Sequence, residues 1–297
     1  MTENGRLSVA VIGAGLIGVD LAVKITRSDH LELGLVLGRD ENTPGLRRLA
    51  RTGLPVSAGG IRSLVDREEP FDIVFDATTA SAHVEHAKLL APSDTLLVDL
   101  TPSQVGRMVI PTINGSDALS HRNVNMVSCG GQAAIPVLHA VARRHRIAYA
   151  EVVTTAASST IGRSTRLNLD EYIDTTQDAV REFSGIEDVK VMVNLSPARP
   201  PATFRVAMSL LGEDLTQDSV RAAVDTAVEE MRAFVGGCAV TACAVGDGKA
   251  LVAVEVHASG DRIPRYAGNL DIINSAALHV AERYADHHLT CVPAETS

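Results

Sequence analysis

"LSVAVIGAGLIGVDLA", residues 7–22, decides how the first part of the chain is read. Gly13, Gly15 and Gly18 stand in GxGxxG spacing, after an apolar run that reads as a strand and before a stretch that reads as a helix. In that setting Gly13 permits a tight turn and Gly15 lets a pyrophosphate approach the backbone. Gly18 lets the helix pack on the strand, and the helix N-terminus favours an anion. The spacing predicts a dinucleotide-binding turn; the plainer alternative is a tight turn with no ligand.

The pattern repeats outward. "LELGLVLG" is a second strand and "PGLRRLARTG" a second helix; "FDIVFDAT" is a strand and "SAHVEHAKLLAP" a helix stopped by Pro92. "DTLLVDLTP" and "NVNMVSC" add further strands. Alternation of this kind predicts right-handed crossovers and a doubly wound parallel sheet. If this sheet holds the adenosine ribose of NAD, its second strand should end in an acid. It ends "LVLGRDE", with Gly38 at that place and Arg39 and Asp40 beyond it. Arg39 suits a 2′-phosphate and hence NADP, Asp40 suits a ribose diol and hence NAD, and a solvated loop pair is the third reading.

After about residue 147 the grammar changes. "IAYAEVVTTAASST" is a long strand running into a Ser/Thr loop, followed by the helix "NLDEYIDTTQDAVREFSG". "PPATFRVAMSLLG", "GGCAVTACAVGDG" and "ALVAVEVHASG" are strands joined by turns, and "GNLDIINSAALHVAERYADHH" is helical. This predicts an α+β domain with a mixed or antiparallel sheet. The chain's 297 residues accommodate two domains at roughly 100–200 residues each. The expected division is 1–130, joined by a C-terminal helix 269–297, and 131–268. Aromatic residues are only 3% of the chain, so the core must be aliphatic, which suits a sheet buried under helices.

A net charge of −9 argues against a nucleic-acid partner. The apolar runs are too short to span a bilayer, and the first residues show no secretory leader. The four cysteines form no CxxC pair, so neither a zinc ribbon nor a disulfide framework is indicated. The expectation is a reduced, cytoplasmic protein that binds no metal.

Cys129 follows a strand and precedes Gly130, Gly131 and the helix "GQAAIPVLHAVARRH". A helix N-terminus lowers a thiol's pKa, and the two glycines leave open backbone whose N–H groups can line an oxyanion site. A buried, inert cysteine is the alternative. Downstream of a dinucleotide fold, a thiolate suits aldehyde oxidation through a thiohemiacetal and a thioester. Gln132, within one turn of Cys129, either orients the carbonyl or is simply a first-turn helix residue.

In this ordered series the chain resembles the acylating, coenzyme A-dependent acetaldehyde dehydrogenases that work beside 4-hydroxy-2-oxovalerate aldolases in aromatic catabolism. The resemblance rests on "VIGAGLIGVDL", "VDLTPSQVG", "NVNMVSCGGQAAIP", "YAEVV", "STRLNLDEYIDTT" and "YAGNLDIINSAA". It implies a Rossmann domain with an α+β catalytic and dimerisation domain, a homodimer or larger assembly, and an aldolase partner. It implies Cys129 as the acyl-thioester nucleophile and coenzyme A as acyl acceptor, with NAD as cofactor and NADP as the alternative. Nicotinamide contacts are implied from Ala14 through Leu16 to Ile17, and from Asn269. The same is implied of the loop Thr160, Ile161, Gly162, Arg163, Ser164, Thr165, Arg166, Leu167 and Asn168.

The departures matter. The family's SGNIG is AGLIG here, and its GPGTR is "GRSTR". Where the family reads NPAEPPxxMRDT, this chain reads "SPARPPATFRVAMS". Arg205 is retained and is taken as a catalytic candidate. Val206 stands where the family has an aspartate that helps activate the cysteine or a water. Added arginines (Arg163, Arg199, Arg262, Arg265) either converge on an acidic substrate or are scattered over the surface. Two alternatives to the main reading follow: a semialdehyde dehydrogenase acting on an acidic substrate, or a catalytically impaired cofactor-binding homologue.

Elsewhere, His83 and His86 read as a solvated helix face, and His287 and His288 as exposed. Asp76 and Asp99, at strand ends, read as cofactor contacts or helix caps.

Overall fold

A computed structural model describes residues 5–260 and 262–291; the side chain of Cys291 and the tail after it, including the end of the expected 269–297 helix, lie outside the described residues. The chain forms two compact units. The first runs to Met126 and resumes at Ala277; the second is Val127–Ala276.

In the first unit the strands are β1 (Leu7–Ile12), β2 (Leu31–Leu37), β3 (Val56–Ser57), β4 (Ile73–Asp76), β5 (Leu96–Asp99), β6 (Arg107–Met108) and β7 (Asn123–Asn125). They lie in the order β3-β2-β1-β4-β5-β7-β6. Every pair is parallel. This is the doubly wound sheet that the alternation predicts. Strands β4 and β5 are buried at every position, as strands covered on both faces must be. Ala10, Ile12, Leu37, Phe71, Val74 and Leu97 meet in the core, all aliphatic but one. The strand order reverses between β1 and β4. In sheets of this kind a ligand crevice opens at the carboxyl ends of the strands at such a switch, and the turn Gly13–Gly18 sits at the carboxyl end of β1.

The second unit has β8 (Ile147–Ala157), β9 (Asp188–Ser196), β10 (Phe204–Gly212), β11 (Cys238–Gly246) and β12 (Lys249–Val256), in the order β11-β12-β10-β8-β9. Strands β8 and β9 are parallel and the remaining pairs antiparallel. This is the expected mixed α+β sheet. Along β10 buried residues alternate with exposed or half-buried ones, so one face is covered and the other open. The helices Cys129–Ala142, Leu169–Ser184 and Gln217–Arg232 pack on this sheet. In Leu169–Ser184 the buried stripe is Tyr172, Thr175, Thr176, Ala179, Val180 and Phe183, the spacing of one helical face.

Candidate active site

The glycine turn has the shape its sequence predicts. Gly13 has φ +102°, and a Cβ there would stand 2.6 Å from the carbonyl oxygen of Ala77. A Cβ on Gly18 would stand 1.9 Å from the Gly13 carbonyl oxygen. At Gly15 a Cβ would meet nothing within 4 Å, so the turn is open on that side. The helix Leu16–Ile25 that follows has no side-chain cap and no acid in its first turn. Such an end presents N–H donors and a favourable dipole to an anion. Ala14 is buried and Leu16 exposed.

At the end of β2 the backbone of Gly38 lies against β3, donating to the carbonyl of Ser57 at 2.9 Å. Asp40 turns back on its own loop, where Oδ1 accepts the N–H of Asn42 at 2.8 Å. Arg39 is exposed, its stem 3.6 Å from where a Cβ on Gly60 would lie.

The cysteine is delivered by a strained turn. Val127 has φ +61°, a left-handed conformation that costs a β-branched residue about 1–3 kcal/mol. Ser128 is then extended and caps the helix, its Oγ accepting the N–H of Gly131 at 2.9 Å. Cys129 is the first helical residue, half-buried.

Two expectations are corrected here. The glycines do not leave open donors for an oxyanion. The N–H of Gly130 donates to Tyr172 Oη at 2.9 Å and that of Gly131 to Ser128, and both residues are buried. They are glycines for want of room. A Cβ on Gly130 would stand 2.3 Å from Thr154 Oγ1 and 2.4 Å from Tyr172 Oη; one on Gly131 would stand 2.8 Å from Val127 Cγ1. Nor is the thiol's pKa lowered. Burial pushes it up, against opposing help from the Tyr172 hydroxyl and the first-turn N–H groups.

Tyr172, which no motif in the sequence marks, is the polar side chain beside Cys129. Its hydroxyl lies 3.5 Å from Cys129 Sγ. Thr176 Oγ1 donates to the carbonyl of Tyr172 at 2.6 Å. Having given its proton there, Thr176 accepts from Ser128 Oγ at 2.8 Å. The helix that carries Tyr172 is thereby tied to the cap of the helix that carries Cys129.

Gln132 is fully buried, one turn on, and its N–H donates to the carbonyl of Ser128 at 2.8 Å. Arg205 is not brought to the cysteine. It pairs with Thr155 on β8 and Glu255 on β12, on the open face of the sheet, and is exposed. Its neighbour Val206 pairs with Thr154, whose side chain abuts Gly130, so alternation puts Val206 on the covered face. Val206 has no exposure at all. The added arginines Arg163, Arg199, Arg262 and Arg265 are exposed.

The loop from Thr160 to Asn168 and Asn269 do come together. Asn269 Nδ2 donates to the carbonyl of Thr160 at 3.3 Å, and its buried Oδ1 has no partner. Arg166 braces the loop, donating to the carbonyl and hydroxyl of Ser158 at 2.7 and 2.8 Å. Thr160 and Asn168 are buried, Ile161 borders on buried, and Leu167 is exposed. Gly162, Arg163, Ser164 and Thr165 line the rest of the loop, its short helix being Arg163–Leu167.

The strand-end acids of the first unit are neither free for cofactor nor helix caps, and His83 is not solvated. His83 has no exposure and lies between two carboxylates, Nδ1 3.0 Å from Asp76 Oδ2 and Nε2 3.4 Å from Asp99 Oδ2. His86 Nδ1 is 2.8 Å from Asp76 Oδ2. Burial alone would raise Asp76, but the two histidines outweigh it and hold it at about 2. Burial raises Asp99 to about 6, partly offset by His83. His83 is itself raised: burial opposes its charge, and the hydrogen bond it donates to Asp76, with the nearby Asp99, prevails. The cap of the next helix is Thr79. His287 is exposed and His288 half-buried. Among the described residues no group of three or more His, Cys, Asp or Glu side chains is arranged to hold a metal ion.

Residues 129–264 match the family model described as prokaryotic acetaldehyde dehydrogenase, dimerisation. An acetaldehyde dehydrogenase of Streptomyces griseus is 51% identical over 278 residues, covering 94% of this chain and 90% of that one. The chain belongs to the acetaldehyde dehydrogenase family. Another member, from Geobacillus stearothermophilus, is 40% identical over 96% of this chain and 98% of its own. Among solved structures, aspartate semialdehyde dehydrogenase II of Vibrio cholerae, complexed with ASA, superposes with a TM-score of 0.63. It covers 93% of this chain and 97% of its own at 14% identity, a likeness of fold. The chain is therefore an oxidoreductase of the aldehyde-oxidising kind, and its relatives imply a nicotinamide cofactor. The dimerisation model supports an oligomer. Among the described residues no helix is long and apolar enough to cross a membrane.

Proposed function

We propose that this protein converts a short aldehyde and coenzyme A to an acyl-coenzyme A, with NAD or NADP, through a thioester on Cys129. One observation carries the reading: the turn at Val127 and the cap at Ser128 present Cys129 as the first residue of its helix, with a hydroxyl at 3.5 Å.

The residues fit the cofactor. The open, uncapped turn at Gly13–Gly18 suits a diphosphate, and the partnerless buried Oδ1 of Asn269 suits an amide donor. Arg39, exposed at the end of β2, admits a 2′-phosphate, so both cofactors are expected to bind. In the reaction Cys129 gives up its proton and its sulfur attacks the carbonyl carbon. A C–S bond forms as the carbonyl π pair moves to oxygen. The bound nicotinamide supplies the acceptor for the hydride that this carbon must lose. Cys129 holds the acyl group until the thiolate of coenzyme A attacks the same carbon and Cys129 leaves. Arg205, on the open sheet face, takes no step at the sulfur.

That open face of the five-stranded sheet is, on this reading, where a second copy docks. The aldolase partner and the place in aromatic catabolism belong to the same proposal and are tested by co-purification with a 4-hydroxy-2-oxovalerate aldolase. A second reading, an impaired homologue that binds cofactor without turnover, is favoured by the apolar Val206. The deciding experiment is formation of reduced cofactor from acetaldehyde and propionaldehyde, with and without coenzyme A. Coenzyme A-dependent turnover supports the first reading. Cofactor binding without turnover supports the second.

A further inference from the structure

We propose that the Tyr172 hydroxyl is a catalytic group, donating the hydrogen bond that stabilises the Cys129 thiolate. The proposal rests on the reading of Cys129 as the nucleophile.

The geometry supplies the donor. Tyr172 Oη is 3.5 Å from Sγ and already accepts the N–H of Gly130 at 2.9 Å. In the thiol state either group can donate to the other. A thiolate has no proton, so in that state only the phenol can donate. The phenol keeps its proton while the thiol loses its own, because burial, and then Cys129 itself, holds Tyr172 well above the usual tyrosine range.

The phenol is also held in place. Gly130 leaves room for it, since a Cβ there would stand 2.4 Å from Oη. The relay Ser128–Thr176–Tyr172 carbonyl fixes the helix turn beneath it. Beside the sulfur stands Tyr172 from the helix Leu169–Ser184, and on the covered face of the sheet near Gly130 stand Thr154 of β8 and its ladder partner Val206 of β10, all uncharged. The influences on the thiol are burial, the Tyr172 hydroxyl and backbone N–H groups. The Tyr172 hydroxyl stands where a hydrogen bond favours the charged sulfur. Deprotonation then releases the thiol proton to solvent or base, and the phenol's own proton stays on its oxygen.

The test is the pH dependence of alkylation of Cys129 by iodoacetamide, followed on the Cys129 peptide by mass, in the full-length protein. Tyr172→Phe keeps the ring and removes the donor. The profile is expected to move up by about one pH unit, with alkylation at pH 8 roughly tenfold slower. A purely structural role for Tyr172 would lower the melting temperature and leave that profile in place, which would overturn the proposal. If Tyr172→Phe fails to fold, replacement of all tyrosines by 3-fluorotyrosine keeps the hydroxyl and makes it a stronger donor. The profile must then move to lower pH, and no movement overturns the proposal. Turnover of Cys129→Ala is measured alongside. Turnover that survives there refutes the nucleophile reading itself, whereas the alkylation profile reports on the Tyr172–Cys129 bond in either case.

Discussion

Val206 faces Thr154 across the ladder of β10 and β8, on the side of the sheet that bears Gly130. The family pattern puts an aspartate there, and this chain puts a side chain with no exposure and no proton to move. An acid at 206 would be paired across β12 with Val254 and across β8 with Thr154, and burial would raise its pKa. Val206→Asp is therefore expected to cost roughly 2–4 kcal/mol of stability and to bring no gain in kcat. A rise in kcat of about 10²-fold, the scale of a restored general base, would show that the missing acid limits the enzyme.

Gly130→Ala probes the same contact from the helix. Its methyl must displace Thr154 Oγ1 or Tyr172 Oη, which stand 2.3 and 2.4 Å from the Cβ position. Overpacking of this kind costs about 1–3 kcal/mol. The expected result is a lower urea midpoint and slower alkylation of Cys129. An unchanged midpoint would mean that the helix N-terminus adjusts freely.

The buried Asp76–His83–Asp99 cluster predicts a pH optimum of stability. Asp99, raised to about 6, contributes stability that is full below its unfolded value and is lost as pH rises through 6. His83, also raised, loses its contribution above its own unfolded range. Asp76, lowered to about 2, works in the other direction: its contribution is lost as pH falls towards 2. Thermal stability should therefore peak near pH 4 and decline above it, through Asp99 between about pH 4 and 6 and through His83 at higher pH. Asp99→Asn should flatten the decline between about pH 4 and 6, as read by melting temperature. A wild-type curve with no decline would contradict the cluster's assignment.

Arg39 predicts cofactor choice. Arg39→Ala removes the exposed cation at the end of β2 and leaves the Asp40–Asn42 turn intact. NADPH binding, followed by nucleotide fluorescence, should weaken about tenfold, with NADH binding changed less than about twofold. Equal losses for both would place Arg39 outside the 2′-phosphate's reach.

These sites differ in how far the sequence discloses them. The glycine turn was legible because strand, turn and helix are contiguous, so spacing alone carries the geometry. Cys129 at a helix start was legible for the same reason, and the family resemblance rests on such local runs. Tyr172 was not, because its contact with Cys129 joins two helices far apart in sequence; the signal present was its place on the buried stripe of Leu169–Ser184. Arg205 and Val206 adjoin in sequence, yet the two-residue period of β10 turns them to opposite faces, which a local motif does not disclose. The burial of His83 is not legible from its helix alone, because its carboxylate partners end β4 and β5, strands that only the sheet order makes neighbours.

The central claim is the thioester on Cys129. Its most direct measurement is the intact mass of the protein after mixing with acetaldehyde and NAD in the absence of coenzyme A, with the modified peptide identified. The account predicts one acetyl group on the peptide that carries Cys129, lost on addition of coenzyme A and absent in Cys129→Ala. Turnover with no acetylated peptide, or acetyl carried elsewhere in the chain, would contradict it.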